Sequence, residues 1–101
     1  MNQPTLQQSA DAGANAAQVL ENPAFGAAWE SMRAEIVEAW SNADMRDTEG
    51  QQLLLQQMKL LGRLRGKLAA MVEGGKFALA KISTEDLARE SAARRLVRRV
   101  F

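Results

Sequence analysis

The sequence contains no cysteine and no histidine. Without thiols there is no disulfide, no thiolate nucleophile and no Cys-ligated zinc or iron–sulfur site. Without imidazole the usual general base and the commonest metal ligand are missing. Carboxylates and lysines remain, but no spacing pairs them for acid–base work. Glu35 and Glu38 lack the further acids or histidine that a helix-borne metal site requires. The expectation is a non-enzymatic protein with no cofactor and no metal. Tyrosine is also absent, and the aromatics are Phe25, Trp29, Trp40, Phe77 and Phe101. The only prolines, Pro4 and Pro23, lie near the N-terminus. A core of Leu, Met and Ala with two Trp suits helices better than a sandwich of sheets. The first residues offer neither a basic start nor an apolar run, so no signal peptide is expected. No stretch approaches the ~18–20 apolar residues that cross a bilayer, and no membrane partner is expected.

What is present reads as helix. Residues 1–13 are polar and rich in Gln, Asn, Ser and Ala, and are expected to be a flexible N-terminal segment. A short helix is expected over Ala14–Glu21. Asn22-Pro23 then marks a start: Asn can cap, and proline at the first helical position loses nothing by lacking an N–H. Phe25, Trp29, Met32, Ile36 and Trp40 fall on one face of a helix ending near Ser41. Thr48 and Gln51 fit a capping box that opens a Leu-rich helix running to about Glu73. Gly74-Gly75 predicts a break or kink. Ser83-Thr84, followed by Glu85 and Asp86, predicts a new helix reaching about Arg99. The fold class is all-α: an antiparallel helical hairpin core over residues 14–82, with a C-terminal basic amphipathic helix over residues 83–101.

Charge is sorted by half. Residues 1–50 hold eight acids against two bases, and residues 51–101 hold eleven bases against four acids, although the whole chain carries only +1. In a hairpin this predicts ion pairs between the helices, with Glu30 near Lys59 or Arg63 and Glu21 near Lys67. The apolar arc on the Leu-rich helix spans about 160°, wider than the ~100° stripe one partner helix covers. Residues 77–82, the last helix or a second copy of the chain must cover the remainder. Self-association or partner binding is therefore expected.

Two features are candidates for partner binding. Arg94, Arg95, Arg98 and Arg99 fill one side of the terminal helix, opposite Leu96, Val97, Val100 and Phe101. Such a face suits an acidic protein surface or phosphates, and equally a solvated helix end that complements its own dipole. Gly62 and Gly66, with Ala70 and Gly74, step by four and would admit a close backbone, within this chain or from a partner. A phosphate loop is excluded, because Lys67 and Lys76 are followed by Leu68 and Phe77 instead of Ser or Thr.

Asn22-Pro23-Ala24-Phe25, then Asp47-Thr48-Glu49-Gly50 opening a Leu-rich helix, then Gly75-Lys76, together resemble small helical proteins encoded near the head and packaging genes of tailed bacteriophages. The resemblance covers residues 22–82. It implies a structural or assembly role in a virion or in the host cytoplasm, with a capsid, portal or scaffold protein as partner. It brings no functional residues with it. The binding residues expected from the sequence itself are Arg94, Arg95, Arg98, Arg99, Phe101, Gly62 and Gly66. The alternatives are a nucleic-acid-binding module, such as a small DNA-packaging subunit, and an adaptor or inhibitor of a host protein.

Overall fold

A computed structural model describes residues 3–100, with side chains for residues 3–98. The described residues form three helices and no strand: α1 (Leu6–Glu21), α2 (Pro23–Asn42) and α3 (Thr48–Val100). The all-α class is as the sequence predicts. The shape is not that of a globule. The molecule measures 83 × 29 × 18 Å, with a radius of gyration of 22.8 Å. A compact chain of this length has a radius near ~13 Å.

Helix α1 starts at Leu6, well inside the segment expected to be loosely ordered. The cause is a reciprocal cap. The Gln8 amide N–H donates to the Thr5 hydroxyl oxygen at 3.1 Å, and the Thr5 N–H donates to the Gln8 side-chain oxygen at 2.9 Å. The Asn22-Pro23 signal behaves as expected. The Asn22 side-chain oxygen accepts from the N–H groups of Ala24 and Phe25 at 2.8 and 3.4 Å, with Pro23 in the first turn. α3 opens one residue earlier than the capping box implies. Asp47 is the capping side chain, accepting from the Gly50 N–H at 2.9 Å. The Gln51 amide instead closes the 43–47 loop by donating to the Asp44 carbonyl at 2.9 Å.

The largest departure from expectation lies in α3, which is one helix of 53 residues. Gly74-Gly75 does not break it, and neither glycine has a positive φ. Ser83-Thr84 does not restart it. The Thr84 hydroxyl donates to the Ala80 carbonyl, one turn back inside the same helix, at 2.9 Å. The expected separate C-terminal helix is therefore the end of α3. Helix propensity lost at the two glycines, ~1 kcal/mol each, is offset by what Gly75 permits. A Cβ on Gly75 would stand 2.8 Å from the Gly13 Cα, and one on Gly13 would stand 2.6 Å from the Gly75 Cα and 2.8 Å from the Met71 carbonyl oxygen. The backbones of α1 and α3 touch at this crossing. Ala10, Ala16 and Ala78 are buried around it. The α1–α3 contact is the most extensive in the molecule.

α2 lies more loosely on α3. The contacts run in reverse chain order: Gly13 meets Gly75, Trp29 meets Leu61, and Ile36 stands beside Leu54. α1 and α2 thus lie one after the other along α3. From residue 83 to residue 98 every residue of α3 is exposed. The expected ion pairs between the helices do not form. The salt bridges among the described residues are Glu73–Lys76, Asp86–Arg89 and Glu90–Arg94, all exposed and all within α3. Exposed pairs of long side chains gain little, so nothing compels Glu30 or Glu21 to reach across.

Candidate partner-docking grooves

The α2–α3 junction is held at one point and open at two. Trp29 is the fastening. Its indole N–H donates to the Leu61 carbonyl at 3.3 Å, and the Arg65 guanidinium lies 4.6 Å from the ring centroid. Both partners come from α3, because Leu61 and Arg65 are one turn apart on the flank facing α2. Arg65 thus serves the helix junction through the face of an aromatic ring and not through a carboxylate. Leu61 and Ile36 are the buried aliphatic side chains of this half.

Beside that fastening lie two apolar grooves. One, of about 540 Å³, is lined by Ile36, Val37, Trp40, Leu54, Leu55 and Met58, with Thr48, Gln51 and Gln52 at its loop end. The other, of about 660 Å³, is lined by Met32, Ile36, Leu54, Leu60, Leu61 and Leu64, with Glu35, Arg63 and Lys67 around it. Ile36 and Leu54 belong to both, so the grooves flank the line where α2 and α3 come closest. Trp40 is 60% exposed, and Leu53, Leu55, Leu60 and Leu64 are also exposed. The over-wide stripe foreseen on the Leu-rich helix is therefore real. α2 covers part of it, burying Leu61 and half-burying Leu54 and Met58, α1 packs on it further along, and the end of α3 covers none of it.

The size of the uncovered surface follows from simple scaling. A folded monomer of 11.1 kDa exposes ~5,700 Å², whereas this chain exposes 8514 Å². The excess, ~2,800 Å² per chain, is large enough for an obligate interface, which buries ~2,000–5,000 Å² summed over both partners.

The residues singled out in the sequence fall in two places. Arg94, Arg95 and Arg98 are exposed on the projecting end of α3, and Arg94 is 3.4 Å from Glu90. Arg99 lies in the helix, but its side chain is outside the described residues, as is Phe101 altogether. Gly62 and Gly66 lie on an open face, where an added Cβ would meet nothing within 4 Å. The close backbone approach is made by Gly13 and Gly75 instead. Gly62 and Gly66 are not brought together with the arginines. Sequence reasoning missed Gly13 and the grooves beside Trp40. Gly13 could have been found from Ala10, Gly13 and Ala16, small residues at steps of three on one helix face.

Among the described residues no group of three or more acidic side chains is placed to hold a metal ion. No described helix is long and apolar enough to cross a membrane. The chain matches no protein-family model, no curated protein and no solved structure.

Proposed function

We propose that this protein is a non-enzymatic structural and assembly protein that binds a protein partner through the exposed apolar faces of its helices. The observation that carries the reading is the pair of open grooves on either side of α2, lined by Trp40, Leu55, Leu60 and Leu64. Apolar surface of this extent on so small a chain favours a covered state over a free one. Under this reading α1 and α2 form one arm of an antiparallel hairpin, and the first half of α3 forms the other. The basic end of α3 is the second contact element, and the working state is a homo-oligomer. The tailed-phage resemblance of residues 22–82 supplies the context: a head component or assembly factor, in the virion or the host cytoplasm, with a capsid, portal or scaffold protein as partner.

The reading is tested on particles. The chain should co-purify with phage heads or their precursors at fixed stoichiometry. Trp40→Asp combined with Leu55→Asp, both at exposed positions, should leave helicity unchanged and lower incorporation at least ~10-fold. Heads that lack the chain at every stage of assembly would contradict it.

Nucleic-acid binding is the second reading, supported by the exposure of Arg94, Arg95 and Arg98 on a rod clear of the rest of the molecule. It requires a DNA shift at low salt whose affinity falls steeply as salt rises.

A further inference from the structure

We infer that the grooves between α2 and α3 are filled by a second copy of this chain, whose α3 end lies in the groove beside Trp40 while its own groove receives the α3 end of the first. This rests on the docking function above and names the partner.

Three observations meet here. The first is charge. Residues 35–49, from α2 into the loop, carry five acids against the single base Arg46. Asp44 and Asp47 flank the groove's loop end, where Gln51 is bonded to the Asp44 carbonyl. Residues 91–99, at the far end of α3, carry four arginines and no acid. The two regions lie toward opposite ends of a molecule 83 Å long, so neither neutralises the other within one chain. Two antiparallel copies bring both pairs together at once, and a two-fold arrangement closes without forming a filament.

The second is length. α3 beyond Ile82, residues 83–100, extends ~27 Å, and the two grooves together follow α3 from Thr48 to Lys67, ~30 Å. The end of one α3 therefore runs the length of the other copy's groove. It brings an apolar edge, Ala93, Leu96 and Val97, flanked by Arg94 and Arg98. Leu96 and Val97 are exposed in the free chain.

The third is area. The uncovered surface above the expectation for a monomer is large enough for what an obligate dimer buries, and the solitary stretch of α3 needs a neighbour for its own sake. A stretch of helix with no packed face rests on propensity alone, whereas packing supplies most helix stability in proteins.

The test is a charge exchange. In one variant Arg94, Arg95 and Arg98 become Glu; in the other Glu38, Asp44 and Asp47 become Lys. Sedimentation equilibrium of the wild type should give a dimer at ~100 μM that weakens as salt rises. Each variant alone should dissociate ~100-fold more readily, because like charges then face each other. Mixed in equal amounts, the two should form a dimer again, since an acidic tail meets a basic groove and a basic tail an acidic one. Asp47 caps α3, so a second groove variant, Glu35→Lys with Glu38→Lys and Asp44→Lys, must repeat the result. A helical wild type that is monomeric at ~100 μM, or variants that dimerise alone as well as the wild type does, would overturn the inference. Particle incorporation is read separately: a monomer that still enters heads ends self-docking and leaves the assembly role, and a dimer absent from heads does the reverse.

Discussion

Gly75→Ala is expected to destabilise the protein by ~2 kcal/mol, while Gly74→Ala, one residue away, stabilises it by up to ~1 kcal/mol. Both glycines sit mid-helix without positive φ, so alanine improves helix propensity equally at each. Their surroundings differ. The space around a Cβ on Gly74 is empty to 4 Å, whereas a Cβ on Gly75 meets the Gly13 Cα at 2.8 Å and the Ser9 carbonyl oxygen at 3.3 Å. Those neighbours are backbone and cannot rotate away. α1 must move off α3, loosening the packing of Ala10, Ala16 and Ala78. Gly13→Ala should do the same, and the two together should cost less than the sum of each alone, since the first already parts the helices. In a domain of this size ~1 kcal/mol moves the melting midpoint by ~4–8 °C. Thermal melts by far-ultraviolet circular dichroism therefore resolve both signs. Equal stabilisation by Gly74→Ala and Gly75→Ala would mean that the crossing is not tight.

Trp29→Ala carries the next largest expected effect, a loss of ~2–3 kcal/mol. Three contributions vanish together: the half-buried ring, the hydrogen bond to the Leu61 carbonyl at 3.3 Å, and the Arg65 stacking at 4.6 Å. Trp40→Ala, at the exposed end of the same helix, should cost the monomer under ~0.5 kcal/mol. Arg65→Gln should cost ~0.5–1 kcal/mol in the wild type and almost nothing beside Trp29→Ala, which isolates the cation–aromatic pair. Urea titrations of the four variants measure this cycle. Equal costs for Trp29→Ala and Trp40→Ala would show that Trp29 is not the fastening.

Much of this architecture is local and could be read from the chain. Asn22-Pro23 announces α2 because its capping chemistry involves residues two and three positions away. The stripe through Leu54, Leu61 and Leu68 announces α3 because period alone sets a helix face. Thr5 and Gln8 carried the same kind of local signal for α1 and were hidden by their polar surroundings. The exposed flank at Leu60 and Leu64 was likewise visible as an arc too wide for one partner helix. What sequence could not supply was pairing over distance. Gly74 and Gly75 look alike in the chain, and only the arrival of Gly13, some sixty positions earlier, makes one of them essential. The same holds for Arg65. A basic residue beside an acidic helix invites an ion pair, and only the placement of Trp29 shows that it stacks on a ring. The arginines near the C-terminus were legible as a basic face. That they extend on a rod clear of α1 and α2 depends on α3 passing through two glycines without a break, which propensity alone argues against.

The continuity of α3 underlies both the projecting arginines and the reciprocal docking, and one distance tests it directly. Because the chain has no native cysteine, spin labels can be placed at Lys59→Cys and Ser91→Cys without other changes. Labelled protein diluted into an excess of unlabelled chain reports the distance within one molecule. An unbroken helix separates these positions by ~48 Å, at 1.5 Å per residue. A narrow distribution near that value is the expected result. A population centred below ~30 Å would mean that the chain folds back at Gly74-Gly75, and the account would be wrong.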